Sequence, residues 1–324
     1  MPSGASTALS SSPPPTRGIL LLAPGRSGST LLQSAFLASC DVLTFFEPCM
    51  HGPGGGALHR QRCMPHALRF LQCRIPQRKA RWDPPALRGW FRHPYNEANT
   101  SCAAPAPFAT VAEAKLACRA APVVLVKEIR LVGQLSKIAL TLERRQQQNP
   151  TTRMGATAIV HLVRDPRPML VSQRRLGWWN FANVSGQRRA AEMQRVARRL
   201  CIGMTADAAA GKLLQKAGNI RYVPVRFEEL ASNLAATTER VYGALGLSLP
   251  LSTRDWLNRT LRGQCAHGDA ASVNGSLGRQ RFEYSTCRVK PTGKPKWKHE
   301  LSVREKRIIG RECKEAMRAF GYGD

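Results

Sequence analysis

No Cys-x-x-Cys pair occurs among the ten cysteines of the sequence, and their spacing is irregular. Structural zinc sites draw their ligands from such close pairs, so this pattern argues against one. An even number of cysteines in a basic chain instead agrees with disulfide bonds formed in an oxidising compartment. Four N-x-[ST] sequons favour the same secretory environment; their asparagines are Asn99, Asn183, Asn258 and Asn274.

A long apolar segment is also missing near the start of the chain. Residues 1–17 are rich in Ser, Pro and Ala, and we expect them to be disordered. The first apolar run, residues 19–23, is too short for a signal peptide or a membrane span and leads directly into a glycine-rich loop. We therefore interpret it as a strand. Either an anchor is missing from this sequence or the protein is not secretory.

Acidic residues are scarce, with 21 Asp and Glu against 49 Lys and Arg among 324 residues, a formal net charge of +28. Such a balance predicts an anionic partner: nucleic acid, an acidic membrane surface, or a phosphorylated or sulfated ligand. The basic residues are spread along the sequence rather than collected in one tail. A basic solvated surface without a specific partner is therefore the alternative.

Short apolar runs alternate with helical patterns, which predicts an α/β fold with a parallel sheet and helices on both faces. The predicted strands are residues 18–22, 42–46, 122–126, 158–163 and 220–227. The predicted helices are residues 30–39, 131–145, 187–216, 230–245 and 302–320, the last opening with a Ser302/Glu305 capping box. Residues 51–121 are rich in Gly, Pro, Arg, His and Cys and predict an irregular insertion or lid within one domain, 18–322.

The first chemical motif is the loop at residues 24–30, between a predicted strand and a predicted helix. Glycines let the backbone approach an anion, the helix N-terminus supplies N–H groups, and hydroxyls and Arg26 add donors and charge. The nucleoside-triphosphate P-loop needs a Lys before its Ser or Thr, which is missing here. An ordinary strand–helix turn is the plain alternative. The candidate phosphate ligands are Gly25, Arg26, Ser27, Gly28, Ser29 and Thr30.

The second motif is Arg164-Asp165-Pro166-Arg167, followed by Ser172, at the end of another predicted strand. An arginine at the carboxyl end of a parallel strand is well placed for an anion, because α/β folds bind ligands at that edge. Ser172 can add a hydroxyl donor. The alternative is a structural Arg–Asp pair at a helix start.

Together and in this order, the two motifs resemble those of sulfotransferases that use 3′-phosphoadenosine 5′-phosphosulfate (PAPS). The likeness is closest to the Golgi carbohydrate 6-O-sulfotransferases, which act on galactose, N-acetylgalactosamine or N-acetylglucosamine. It extends over residues 18–322 and is weakest over 51–121. Further matching segments are Phe46-Glu47-Pro48 with His51, Val126-Lys127 with Arg130, residues 221–230, Lys296-Trp297-Lys298, and Gly321-Tyr322.

The resemblance implies a P-loop-like three-layer fold and a site in which the first loop holds the 5′-phosphosulfate. Arg164 and Ser172 would hold the 3′-phosphate, and Arg26 and Lys127 would stabilise the transferring charge without a metal. Glu47 is the candidate proton acceptor, because we expect its strand to lie beside the loop strand. A structural pair between Glu47 and an arginine is the alternative, and His51 and His299 are weaker candidates.

The same resemblance implies a glycan or glycosaminoglycan acceptor, a Golgi location and a membrane anchor that this sequence does not display. Residues 290–298 resemble loosely the loop that closes over the nucleotide in sulfotransferases, while 266–290 have no clear counterpart, which leaves the acceptor contacts undefined. The competing interpretations are a magnesium-dependent P-loop kinase, a polyanion-binding protein without activity, and an inactive relative. We expect no specific nucleic-acid partner, because no RNA-binding aromatic motif or clustered basic helix is found.

Overall fold

The computed structural model describes residues 16–50, 60–76, 108, 110–179, 186–264 and 297–323. In these ranges the strands are β1 (Gly18–Leu22), β2 (Val42–Phe46), β3 (Val123–Glu128), β4 (Thr157–Val163) and β5 (Tyr222–Arg226). The first helices are α1 (Ser29–Leu37), α2 (Arg60–Leu71), α3 (Val111–Ala120), α4 (Leu135–Gln148), α5 (Pro166–Arg175) and α6 (Gly186–Ala217). They are followed by α7 (Phe227–Ser232), α8 (Leu234–Ala244), α9 (Leu251–Leu261), α10 (Trp297–Glu300), α11 (Val303–Glu312) and α12 (Lys314–Ala319).

The five strands form one parallel sheet in the order β2-β3-β1-β4-β5. The predicted parallel α/β architecture is thus confirmed. One expectation was wrong, since β2 does not lie beside the loop strand β1 but is separated from it by β3. Every residue of β3 is buried, and a strand that is apolar on both faces is best placed inside a sheet with helices above and below.

Alternate residues of the strands face opposite layers, as the twofold period of a strand requires. Leu20, Val126 and Ile159 face a layer built from α2, α3, α4 and part of α6. Ile19 and Leu21 face the other layer, which contains α1, α7, α8 and α9. A third apolar cluster joins α5, α6, α11 and α12 beside the sheet. The chain therefore has the three-layer arrangement that the sequence predicted.

Several element boundaries differ from the sequence prediction. The strand predicted to end at Val126 continues as β3 to Glu128, which places two more charged side chains in the sheet. The helix predicted over 230–245 is interrupted at Asn233, whose side chain accepts a hydrogen bond from Ala236 N–H and caps α8. The last helix is interrupted at Cys313, although the predicted capping box of Ser302 and Glu305 is confirmed.

Disulfide bonds join helices to one another and to the end of β2, as the cysteine count predicted. Cys49–Cys63 joins the end of β2 to α2, Cys73–Cys118 joins the end of α2 to α3, and Cys201–Cys313 joins α6 to the C-terminal helices. Such links stabilise the fold chiefly by restricting the unfolded chain. Among the described helices, none combines the length and the apolar character needed to cross a bilayer.

Candidate active site

The two motifs found in the sequence meet at the carboxyl edge of the sheet, because their strands β1 and β4 are neighbours. The Arg26 Nε donates to Ser172 Oγ at 2.9 Å, and Arg164 donates to the Arg26 carbonyl at 2.9 Å. Gln173, next to Ser172, donates to the Gly25 carbonyl at 2.8 Å. The loop after β1 and the first turns of α5 thus form one hydrogen-bonded unit.

The loop after β1 has the backbone conformation of an anion cradle. Arg26 and Gly28 have left-handed φ angles of 71° and 89°, which turn the chain sharply into α1. Gly28 is the N-cap of α1 and supplies no side-chain cap, so the first turn keeps N–H groups for a ligand. The buried Ser27 Oγ has no hydrogen-bond partner among the described residues. Ser29 and Thr30 begin the helix that follows.

Arg164 is held at the end of β4, and no carboxylate of the described residues lies on its guanidinium. The guanidinium stacks on the Phe227 ring at 4.1 Å, and its Nε has no hydrogen-bond partner within the described part of the chain. Burial, together with the nearby charge of Arg26, lowers the pKa of Arg164 to about 10, while Glu228 opposes the shift. The side chain is still a cation at neutral pH. A desolvated cation of this kind favours an anionic ligand.

The neighbouring residues of this motif have structural partners instead. Asp165 caps α5 by accepting from Arg167 N–H at 2.9 Å, and the Arg167 guanidinium forms an ion pair with the same carboxylate. Arg167 also donates to the Gly323 carbonyl at 2.7 Å. The alternative of a structural Arg–Asp pair therefore holds for Asp165 and Arg167, whereas Arg164 is left facing the loop.

Glu228 connects this motif to the C-terminal tail, a link that the sequence analysis missed. One carboxylate oxygen accepts from Asp165 N–H at 3.1 Å, and the other accepts from the Tyr322 hydroxyl at 3.0 Å. Arg226 lies over the Tyr322 ring at 4.6 Å. The conformation of residues 164–165 is thus supported by the residues just after β5 and by the end of the chain.

Glu47 lies at the end of β2 in a buried cluster of charges. Its carboxylate forms ion pairs with Lys127 Nζ at 2.8 Å and with Arg130 at 2.9 Å. Lys127 Nζ also donates to Thr30 Oγ1 at 3.2 Å, which joins this cluster to the first turn of α1. Glu47 has a left-handed φ of 43°, an uncommon conformation for a residue with a side chain. The structure therefore brings Glu47 to the loop through Lys127, although β3 intervenes.

The ion pairs determine the protonation of this cluster. Burial would raise the pKa of Glu47, but Lys127 and Arg130 outweigh burial and hold that pKa below its ordinary value. Burial lowers the pKa of Lys127, and the Glu47 carboxylate opposes this shift. Glu47 is therefore a carboxylate at neutral pH and can accept a proton once a substrate hydroxyl competes for its cations.

Glu128 is a second buried carboxylate, which the sequence analysis missed because the strand was expected to end before it. Its Oε1 accepts from the N–H groups of Ile129 and Arg130 at 3.0 and 3.1 Å, and its Oε2 accepts from Cys49 N–H at 3.0 Å. Burial, followed by the charge of Glu47, raises the pKa of Glu128. This carboxylate ties the chain after β2 to the chain after β3.

Of the two weaker candidates for the proton acceptor, only His299 is among the described residues. His299 is exposed on α10, and His51 lies outside the described residues, as does most of the segment 290–298. Trp297, at the end of that segment, lies under the Arg167 guanidinium at 4.8 Å. Within the described ranges, Cys49, Cys63 and Glu128 are the one group with metal-ligand spacing. Its two cysteines are joined in a disulfide, so no thiolate is present to bind a metal.

Comparisons with known proteins agree with this geometry. Residues 155–250, which include Arg164 and Ser172, match the model of the sulfotransferase family. Carbohydrate sulfotransferase 3 of Homo sapiens is 25% identical over 351 residues, which cover 95% of this chain and 67% of that protein. Carbohydrate sulfotransferase 1 of Homo sapiens is 24% identical over 344 residues, covering 94% of this chain and 79% of that protein.

The fold has a counterpart in a solved structure, mouse sulfotransferase SULT7A1 complexed with PAP. It superimposes with a TM-score of 0.50 at 12% identity, over 96% of this chain and 90% of that chain. The sheet order, the loop after β1 and the arginine after β4 thus define a sulfotransferase. Within that class, the chain is similar over most of its length to carbohydrate sulfotransferases.

Proposed function

We propose that the protein transfers a sulfuryl group from PAPS to a hydroxyl of a carbohydrate. The single observation that carries this proposal is the meeting of two cationic motifs, with Arg26 bonded to Ser172 and Arg164 bonded to the Arg26 carbonyl. PAPS is an anion at both ends, so it matches two adjoining anion sites on one edge of a sheet. The names of the curated relatives and the ligand of mouse sulfotransferase SULT7A1 support the same donor and acceptor classes.

The loop would hold the 5′-phosphosulfate. Gly25 and Gly28 allow the backbone to approach it, while the hydroxyls of Ser27, Ser29 and Thr30 and the guanidinium of Arg26 donate to its oxygens. Arg164 and Ser172 would hold the 3′-phosphate. The buried donors of Ser27 and Arg164 that have no partner among the described residues are the groups that such a ligand would satisfy.

In the proposed reaction the acceptor hydroxyl attacks sulfur in line with the bond to the nucleotide phosphate. A new O–S bond forms, the bond from sulfur to the phosphate oxygen breaks, and adenosine 3′,5′-bisphosphate leaves with the bonding electron pair. Glu47 takes the hydroxyl proton, and Lys127, which lies between Glu47 and Thr30, stabilises the charge that develops on the leaving oxygen. Because protein cations supply this charge, the proposal includes no metal.

We further propose that the acceptor is a glycan or glycosaminoglycan and that the 6-hydroxyl of galactose, N-acetylgalactosamine or N-acetylglucosamine is sulfated. Residues 18–322 would form one transferase domain with an insertion at 51–121, working in the Golgi lumen or at the Golgi membrane. The disulfides support an oxidising lumen. So does Asn258, a sequon asparagine that is exposed on α9.

A calorimetric titration tests the donor part of the proposal. We expect adenosine 3′,5′-bisphosphate to bind in the presence of a chelator, and ATP with magnesium to bind far more weakly. Binding of ATP alone would point to a phosphotransferase instead. The acceptor is tested by transfer of labelled sulfate from PAPS to desulfated chondroitin, keratan-type and N-acetylglucosamine-terminated acceptors. Failure to label any acceptor while the bisphosphate binds would favour an inactive relative.

A further inference from the structure

A tryptophan that no motif includes lies against the phosphate loop. Helix α5 ends in a left-handed Gly177 with a φ of 67°, and the next residue, Trp178, donates its N–H back to the Gln173 carbonyl at 3.1 Å. This is the hydrogen bond of a Schellman motif, which reverses the chain at a helix C-terminus. The reversal directs Trp178 from the end of α5 towards the loop after β1.

The indole of Trp178 fills the space beside Gly25. A β-carbon built on Gly25 would lie 2.3 Å from Cζ3 and 2.6 Å from Cη2 of Trp178, and 3.5 Å from Cδ1 of Ile129. The ring therefore lies where the loop comes close to the residues that follow Lys127. Nevertheless 38% of Trp178 remains exposed, so part of the ring is open to solvent beside the cradle.

The backbone of Trp178 is positioned by hydrogen bonds around Gln173. The Gln173 side chain donates to the Gly25 carbonyl at 2.8 Å and accepts from the indole N–H of Trp179 at 3.1 Å. The backbone carbonyl of Gln173 accepts from the backbone N–H of Trp178. One glutamine thus connects the loop after β1 to the turn that carries both tryptophans. A side chain on a turn that is already ordered loses less conformational entropy when a ligand binds.

We propose that the exposed face of Trp178 is the platform on which the ring of the acceptor sugar stacks during transfer. The C–H groups of a pyranose present an apolar face that suits an aromatic ring, while its hydroxyls remain available to polar groups. Gly25 belongs to the loop that would hold the phosphosulfate, and Ile129 is next to Arg130, an ion-pair partner of Glu47. A sugar on this ring would therefore have its hydroxyl near both the sulfuryl group and the proposed base.

A role in donor binding is the competing explanation, and the contacts of a second aromatic residue argue against it. Phe227 touches the loop at Gly28 and lies under Arg164, on the side where the 3′-phosphate would bind. Trp178 touches the loop at Gly25, and Ile129, which follows Lys127 by two residues, lies beside the same glycine. The two rings therefore contact different ends of the loop, and the end that Trp178 contacts lies beside the segment that carries Arg130, an ion-pair partner of Glu47.

This inference rests on the proposed function, and steady-state kinetics with separate donor and acceptor titrations test it. We expect Trp178→Ala to raise the acceptor KM about tenfold, which corresponds to about 1.4 kcal/mol for the lost aromatic contact. Trp178→Phe should stay within about threefold of the wild type, and Trp178→Leu, apolar but without an aromatic face, should resemble Trp178→Ala. Leu140→Ala, which alters a side chain of 49% exposure on α4, is the control and should change nothing.

The donor measurements decide between the explanations. The KM for PAPS and the Kd for adenosine 3′,5′-bisphosphate should stay within about twofold of the wild type in all these variants, which also shows that the variants fold. An unchanged acceptor KM in Trp178→Ala, or a donor-side loss as large as the acceptor-side loss, would overturn the stacking role and leave the proposed function intact. If the wild-type protein transferred sulfate to no carbohydrate, both the stacking role of Trp178 and the proposed function would be wrong.

Discussion

At the carboxyl edge of the sheet, the charged side chains after β1 and β4 have different kinds of partner from those after β2 and β3. On the side of β1 and β4, Arg26 and Arg164 bond to a hydroxyl, to a carbonyl and to the face of a ring. On the side of β2 and β3, two carboxylates and two cations lie within one network, in which Glu47 pairs with Lys127 and Arg130 and Arg130 also reaches Glu128. We refer to the region after β1 and β4 as the donor side and to the region after β2 and β3 as the proton side.

This difference indicates a division of labour. Arg164 is a buried cation with no carboxylate on its guanidinium among the described residues, so it has much to gain from an anionic ligand and the donor side is suited to binding phosphate. On the proton side Lys127 and Arg130 already pair with Glu47, so an additional anion gains little there, whereas the hydrogen bonds of this network can rearrange when a neutral hydroxyl enters. The proton side is therefore suited to the chemical step. Variants of the two sides should accordingly separate binding of the nucleotide from turnover.

The largest effect is expected on the proton side. Glu47→Gln keeps the volume of the side chain but removes the proton acceptor, so we expect kcat to fall by about 10²–10⁴-fold. The Kd for adenosine 3′,5′-bisphosphate should change by no more than about twofold, because Glu47 would touch neither phosphate. Stopped-time sulfate transfer and calorimetry give the two numbers. A loss of nucleotide affinity as large as the fall in kcat would contradict the separation of nucleotide binding from turnover.

The next effect is expected on the donor side. Arg164→Ala removes a buried charge from the proposed 3′-phosphate site, and we expect the Kd for adenosine 3′,5′-bisphosphate to rise by about 30- to 1,000-fold. Arg167→Ala is the matched control from the same motif, since its guanidinium is already engaged by Asp165 and the Gly323 carbonyl. We expect the control to change the Kd less than about fivefold. Equal losses in both variants would show that the motif acts only as a structural unit.

The pH dependence of kcat/KM tests the role of Glu47 on the proton side. Arg130 is one of the two cations that hold the pKa of Glu47 down, so Arg130→Gln should raise that pKa. Activity needs the carboxylate, so the acidic limb of kcat/KM should move to higher pH. Profiles measured from acidic to neutral pH check this, with Lys137→Gln on the exposed face of α4 as the control. An unmoved acidic limb would argue against Glu47 as the base.

The smallest effect is expected from the tail that supports the donor side. Tyr322→Phe removes the hydroxyl that donates to Glu228, which in turn accepts from Asp165 N–H. A single hydrogen bond of this kind contributes about 1 kcal/mol, so nucleotide affinity should weaken by no more than about fivefold. At saturating PAPS, kcat should be unchanged. A fall in kcat without a change in affinity would place the tail on the proton side instead.

The sequence predicted the donor side better than the proton side, and the reason is physical. The loop after β1 and residues 164–172 are local motifs, whose geometry follows from a strand end and a helix start. Glu128 reaches Cys49, and Gln173 and Trp178 reach Gly25, through the packing of distant segments, and no local spacing reveals these contacts. The position of β2 was missed for a related reason, since chain order does not determine strand order in a parallel sheet.

The Cys49–Cys63 bond has a consequence for how the protein responds to a reducing environment. Cys49 follows Glu47 by two residues, and its N–H is held by Glu128, so this cross-link fastens the segment that begins at the proposed base. The loop after β1 and α5 contain no cysteine. Reduction of Cys49–Cys63 would therefore release the segment that carries Glu47 without breaking a covalent link within the two motifs of the donor side.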